Sequence, residues 1–327
     1  MPTYRHHALA VRSEVLADNP WGDPVERTLH VLAPESTPGP LPVVWILVGY
    51  AGNAAAQLQP DPWSENLLQR VQRLSDSGAL PPALFVVPDL FTALGGSQYL
   101  NSPAVGRYED HLWQELKPLL ERRFSCGLHG MAGKSSGGFG ALLQAIRHPE
   151  HVAAVACHSG DMGFEYGYLP DLPKLANALE KYGGVEAFLA AFAADPKKRE
   201  GRWIGPLNVL CMAACYSPDP SAPLGIGLPF DPATGALRQE VWERWLAFDP
   251  VRLAAEKEVQ ERLRRLRLLF LDCGNRDEYH LQWGLRQLVA KLRDADVPHV
   301  HEEFDDGHRG TSYRYDVSLP RLVQALR

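Results

Sequence analysis

Apolar residues along the chain fall into two rhythms. Runs such as Pro42-Val43-Val44-Trp45-Ile46-Leu47-Val48 and Ala83-Leu84-Phe85-Val86-Val87-Pro88-Asp89 are nearly unbroken, as expected for strands covered on both faces in a parallel sheet. Residues 128–132, 152–157, 266–274 and 300–304 are the further predicted strands. Between them stand helical patterns over 63–77, from Ala141 to Ile146 before His148-Pro149, over 279–293 and over 319–326. Tyr108, Leu112, Leu116 and Leu120 mark another amphipathic helix, with Glu109, Asp110, Glu115 and Lys117 outside the apolar face and a kink at Pro118. Ahead of this rhythm, residues 4–16 and Val25 to Leu32 alternate loosely around a turn-rich 18–24, so they predict an antiparallel pair at the sheet edge, closed by Pro38-Gly39-Pro40.

The strand and helix alternation predicts an α/β fold with a mostly parallel, doubly wound sheet and an antiparallel N-terminal edge. From 161 to 260 the rhythm breaks. Tyr166, Tyr168, Phe188, Phe192, Trp203, Trp242 and Trp245 lie there among Pro and Gly turns, which predicts a helical and irregular insertion over the active site, a lid or pocket wall within a single domain spanning 1–327.

Composition narrows the function. With 327 residues, 45% of them hydrophobic, the chain can build one large core. A net charge of -6 and a pI near 6.1 give no basic footprint for nucleic acid and no polybasic membrane patch, leaving a small neutral or mildly charged ligand as the expected partner. The five cysteines, Cys126, Cys157, Cys211, Cys215 and Cys273, are scattered without zinc or disulfide spacing, so they predict buried thiols in a reducing compartment. The N-terminal Met1-Pro2-Thr3-Tyr4-Arg5-His6-His7 has no signal-peptide core and no apolar run approaches membrane-spanning length. The expectation is a cytoplasmic protein with no membrane span, and a homodimer is compatible with it.

The chemistry centres on Gly133-Lys134-Ser135-Ser136-Gly137-Gly138-Phe139-Gly140. A serine at the apex of a sharp strand-to-helix turn is crowded, and glycines two residues to either side relieve that crowding. This spacing selects Ser135 over Ser136, which has Lys134 two residues before it. A phosphate-cradling loop is the rival reading, but Leu128 stands where its upstream glycine belongs.

A serine hydroxyl needs an imidazole to take its proton and a carboxylate to orient that imidazole. In the order nucleophile, acid, histidine, each follows a strand. After the strand at 268–271 the acid choices are Asp272, Asp277 and Glu278; Asp277, out on the loop, is preferred and Asp272 is the alternative. His308 alone among the twelve histidines follows both the acid and the last strand. The Gly49-Tyr50-Ala51-Gly52-Asn53 loop is placed to donate the Tyr50 backbone N–H to an oxyanion, with the Ser136 N–H as second donor. Ala51, Lys134, His158, Asp161, Trp203 and Arg309 are candidates for the substrate pocket, and the polar loop 95–102 is expected to line a cleft.

These motifs together resemble the putative esterase family of α/β hydrolases, which includes esterase D-like, feruloyl esterase, enterochelin esterase and mycolyltransferase proteins. The resemblance runs from about Val25 to Leu326, apart from the insertion. It is carried by the block 133–142 with His148-Pro149 and Ser159-Gly160, by Gly106-Arg107-Tyr108-Glu109-Asp110 followed by Glu115-Leu116-Lys117-Pro118, by Cys273-Gly274-Asn275-Arg276-Asp277, and by Gly307-His308 with Leu319-Pro320. It implies the α/β-hydrolase fold, with Ser135 as nucleophile, Asp277 as acid and His308 as base. Departures are Val48 where many members have histidine, Ser136 in place of a common methionine, and Gly310 and Tyr313 in place of tryptophans.

The expected activity is that of a serine carboxylic ester hydrolase acting through an acyl-enzyme on small or medium acyl esters, with no metal or organic cofactor. Acyl transfer from the same intermediate and a non-catalytic binding scaffold are the alternatives.

Overall fold

Alternation within the buried strands decides how the molecule is layered. In strand β3 (Leu41–Leu47), Val43, Trp45 and Leu47 point into one core and Val44 and Ile46 into the other, because successive side chains leave a strand on opposite faces. The computed structural model describes residues 2–35 and 39–327; Met1 and Pro38, which figure in the sequence expectations, lie outside them.

Strands β1 (Tyr4–Arg12) and β2 (Glu26–Pro34) form the expected antiparallel pair. After β3 come helix α1 (Leu67–Asp76) and β4 (Leu84–Pro88), then a two-residue hairpin, β5 (Asn101–Ser102) with β6 (Gly106–Arg107). Asn66 caps α1 in a capping box with Gln69.

The amphipathic segment that follows begins as α2 (Tyr108–Asp110), widens into a π-helical stretch over His111–Leu116 and closes as α3 (Lys117–Arg123). Pro118 lacks an N–H, and one residue before it the Lys117 N–H reaches back five residues to Leu112 O. Glu109, expected outside, is buried; the guanidinium of Arg147 and the ring of His148 meet its carboxylate at 2.7 and 2.8 Å.

Strand β7 (Cys126–Lys134) leads into α4 (Ser136–Arg147) and β8 (Ala154–His158). Seven helices follow: α5 (Phe164–Gly167), α6 (Leu172–Tyr182), α7 (Val185–Ala194), α8 (Gly201–Tyr216), α9 (Gln239–Leu246), α10 (Pro250–Leu253) and α11 (Lys257–Arg264). Strand β9 (Leu268–Gly274), helix α12 (Leu281–Asp294), strand β10 (Val300–Phe304) and helix α13 (Tyr315–Ala325) complete the chain.

The main sheet runs β1-β2-β4-β3-β7-β8-β9-β10. From β4 through β10 every pairing is parallel, while β2 is antiparallel to both of its neighbours. Helices α1 and α13 cover one face; α4, α12 and the helices between β8 and β9 build the core on the other. This is the α/β-hydrolase arrangement. Among the described residues no helix is long and apolar enough to cross a membrane.

Candidate active site

Close backbone approach shapes the turn between β7 and α4. A Cβ added to Gly133 would fall 2.2 Å from Gly137 O, and one added to Gly137 would fall 2.1 Å from Leu47 O on the neighbouring strand. Only glycine lets α4 begin that near the sheet. Ser135 sits at the apex with φ 58° and ψ -130°, a conformation costing on the order of 1–3 kcal/mol for a residue with a side chain. Hydrogen bonds from Ser135 N to His158 O and from Phe139 N to Ser135 O, both 3.0 Å, hold it there.

A cavity of about 870 Å³ opens over this serine at the carboxyl ends of the parallel strands, where open α/β sheets place their sites. The loop after β10 brings His308 to its wall, and the loop after β9 brings Asp277 behind that ring. His308 Nδ1 lies 2.7 Å from Asp277 Oδ2, with Asp277 buried and outside the cavity lining. Burial pushes the Asp277 carboxyl up, but the His308 hydrogen bond and charge, with the Tyr279 N–H, outweigh it and hold the carboxyl below its usual range.

Two further contacts fix the imidazole. Glu278 accepts from the His308 backbone N–H at 2.6 Å, and the Tyr279 ring packs edge-on against it. Asp272, the other acid considered, faces elsewhere: it meets His158 Nδ1 at 2.7 Å and the Arg314 Nε at 2.8 Å.

Ser135 and His308 share the cavity but are not hydrogen-bonded to each other; the nearest polar partner of Ser135 Oγ is Asp161 Oδ1, at 3.5 Å. Asp161 is buried, and its other oxygen accepts from Ser136 Oγ and Tyr168 OH, each at 2.7 Å, and from Gln98 Nε2 at 3.3 Å. Gln98 also donates to Tyr216 OH at 2.8 Å. Burial pushes the Asp161 carboxyl above its ordinary range, against the pull of Tyr168, Ser136, His308 and Gln98. The sequence marks Asp161 only as a pocket candidate; its position two residues after Ser159 is the one local signal, and nothing in the spacing of Gln98, Tyr168 and Tyr216 ties them to it.

The Gly49 loop passes close to the turn, so that a Cβ on Gly49 would stand 3.3 Å from Ser135 Cβ. Tyr50 is pinned by its ring against Gly95 and by its hydroxyl, which donates to Leu94 O at 2.9 Å. The Tyr50 and Ser136 backbone N–H groups have no acceptor among the described residues, and both residues line the cavity.

Of the pocket candidates, Ala51, Lys134, His158, Asp161 and Arg309 line the cavity, although both nitrogens of the buried His158 ring are engaged, by Asp272 and Ser318. Trp203 does not. Gly201, Ile204, Gly205 and Asn208 present one helical face of α8 to the cavity, and Trp203 points from another into a cluster with Tyr182, Phe188 and Phe192. The loop 95–102 stays out of this cavity: Ser97 to Leu100 are buried beneath the site, with Tyr99 against Gly140 and its hydroxyl on Val48 O, while Gly95 to Tyr99 line a small second pocket together with Tyr50 and Ser136. Arg199, which sequence reasoning passed over, lines the cavity and reaches toward Ala51 O at 3.5 Å.

Solved structures with the same fold include a ferulic acid esterase (TM-score 0.61, 18% identity, covering 99% of this chain and 100% of that one). An S-formylglutathione hydrolase from Agrobacterium tumefaciens is as similar, with TM-score 0.61 and 18% identity over 100% of this chain and 97% of its own. The fluorophosphonate-binding serine hydrolase F of Staphylococcus aureus aligns with TM-score 0.57 and 13% identity over 99% of each chain. No curated protein matches by sequence. The sequence profile of the family described as "Putative esterase" matches residues 25–323, most of the chain, and the protein belongs to that family.

Proposed function

We propose that the protein hydrolyses carboxylic esters through an acyl-enzyme formed on Ser135. The observation that carries this reading is the buried pairing of His308 Nδ1 with Asp277 at 2.7 Å, on the wall of the cavity that holds the strained Ser135. Asp277 fixes the tautomer, leaving Nε2 of His308 unprotonated and free to accept a proton.

On substrate binding the Ser135 hydroxyl turns from Asp161 toward His308; such bonds are commonly long before substrate is present. The Ser135 Oγ then bonds to the ester carbonyl carbon while its proton passes to His308 Nε2, and the carbonyl π pair moves onto oxygen. The unpaired N–H groups of Tyr50 and Ser136 receive that oxyanion, each donor contributing on the order of 3 kcal/mol. Collapse re-forms the carbonyl and breaks the ester C–O bond, and His308 returns its proton to the departing alcohol. A water molecule repeats the sequence on the acyl-enzyme, giving the acid and free Ser135. Residues 167–208, which supply one wall of the cavity, bound the substrate as a lid or fixed wall within this hydrolase unit.

The test is turnover of p-nitrophenyl esters of increasing acyl length by wild type and Ser135→Ala, with fluorophosphonate labelling in parallel. Wild type hydrolyses the short and medium esters and takes one label at Ser135; the variant does neither. Equal turnover by the two proteins would falsify the assignment.

A further inference from the structure

The chain is acidic overall, with 39 Asp and Glu against 33 Lys and Arg, yet its cavity is not. Five cationic side chains line it, Lys134, Lys174, Arg199, Arg309 and Arg314, against two acidic ones, Asp161 and Asp171. Lys174 is neutralised by Asp171 at 2.6 Å, and Arg314 by Asp272 and Glu302 at 2.8 and 2.5 Å. Asp161 is buried and occupied by four donors from the protein, the Ser135 hydroxyl among them.

Three cations are left over. Among the described residues Lys134, Arg199 and Arg309 form no ion pair, Arg199 reaching only Ala51 O at 3.5 Å and Arg309 only Tyr279 OH at 3.4 Å. They come from separate elements, the end of β7 beside the serine, the segment before α8 and the loop after β10, and they converge on one space. Lys134 is half-buried; the loss of hydration lowers its pKa, against the carboxylates of Asp277, Glu278 and Asp306. A half-buried ammonium and two exposed guanidinium groups, none held in an ion pair although the Glu278 carboxylate acts on both Lys134 and Arg309, are a binding field for an anion.

We propose that the cavity selects esters carrying an anionic group, a carboxylate in the simplest case, which pairs with Arg199, Arg309 and Lys134 while Ser135 meets the ester carbonyl. The substrate assignment rests on the esterase reading; the charge selection does not, and the two are tested apart. Binding is measured by calorimetry with uncleaved amides: N-phenylsuccinamate, with its charge on the acyl side, 4-butyramidobenzoate, with its charge on the leaving-group side, and neutral N-phenylbutyramide.

At least one anionic amide is expected to bind about tenfold tighter than the neutral one at low ionic strength, with the advantage shrinking toward about 0.5 M salt as exposed charges are screened. Arg199→Gln and Arg309→Gln, both exposed positions, each reduce that ratio; Lys257→Gln, exposed at the start of α11 and away from the cavity, leaves it unchanged. Equal binding of charged and neutral amides, or a ratio indifferent to both arginine variants together, overturns the proposal. Hydrolysis of p-nitrophenyl hemisuccinate and p-nitrophenyl butyrate is followed in the same preparations. If neither is cleaved while anionic amides still bind tighter, the esterase reading fails and charge selection stands; if both are cleaved and the amides bind alike, the reverse holds.

Discussion

Replacing Gly137 by alanine tests whether the approach of α4 to the sheet positions the serine. The new methyl carbon would lie 2.1 Å from Leu47 O, 2.6 Å from Leu47 C and 2.9 Å from Val48 O. All three obstacles are backbone, so no side chain can swing aside. Reaching ordinary van der Waals contact requires a separation of about 1.3 Å more between the start of α4 and the end of β3. Leu47 is held in register with Gly133 on β7, so the helix must give way, at about 3 kcal/mol or more, the upper end of overpacking costs.

The same shift carries Ser135 and the Ser136 N–H away from the Gly49 loop, and a misplacement of about 1 Å can cost on the order of a hundredfold in rate. Urea unfolding monitored by tryptophan fluorescence, together with kcat/KM on p-nitrophenyl butyrate, reads both effects. Gly201→Ala is the control for the unfolding measurement alone, since Gly201 faces the cavity: it begins α8 with ordinary φ and open space around the added Cβ, so it should be neutral or stabilise by up to about 1 kcal/mol. A Gly137→Ala protein within about 0.5 kcal/mol of wild type, the scatter expected of a harmless substitution, would refute the close-approach argument.

Asp277→Asn should reduce kcat by about three to four orders of magnitude through loss of the imidazole's orientation, measured with the same ester; a loss below tenfold counts against the assigned role. Its stability effect depends on pH. The folded-state pKa of Asp277 is depressed, so its stabilisation is present above the unfolded value near pH 4 and lost as pH falls through the folded value, and the gap between wild type and Asp277→Asn closes below about pH 4. Asp161 has the opposite sign: its folded pKa is raised, so an ionised Asp161 opposes folding above that pKa, and any stability gained by Asp161→Asn at pH 7 shrinks as the pH approaches about 4. Denaturation curves at several pH values separate the two. Arg147→Ala leaves the buried Glu109 with His148 alone; because Arg147 is itself partly exposed, the expected loss is about 1–2 kcal/mol in urea unfolding. Trp203→Ala should cost about 3–5 kcal/mol as a core truncation; a change in KM with unaltered stability would instead make it a pocket residue.

The strands were legible because burial on both faces writes itself as an unbroken apolar run, as in β3, β4 and β9. The serine turn was legible because the crowding at Gly133 and Gly137 leaves only one residue type. Asp277 and His308 were readable from a topological rule, each standing on the loop after a strand whose position in the sheet could be inferred from chain order. What escaped depends on contacts distant in sequence. Glu109 reads as a surface residue until Arg147 and His148 arrive from the next helix. Which way Trp203 faces on α8 is settled by Tyr182, Phe188 and Phe192, not by its own helix. The polar loop 95–102 reads as a cleft lining, yet Gln98 and Tyr99 are buried, because Asp161 after β8, Tyr168 after α5 and Tyr216 on α8 meet the Gln98 amide while Val48 O and Gln144 on α4 meet Tyr99.

If Ser135 acts as proposed, those partners tie specificity to reactivity. Gln98 belongs to a connecting loop, Tyr168 directly follows α5 and Tyr216 ends α8, and through Asp161 they reach the hydroxyl of Ser136, a residue that lines the cavity. Exchanging residues 161–260 with those of a relative to change substrate range would therefore also reset the alignment of the chemistry. A graft that keeps Tyr168 and Tyr216 at their present distances from Gln98 and Asp161 keeps the machine in register; one that reshapes the cavity without those two tyrosines detunes the serine it was meant to redirect.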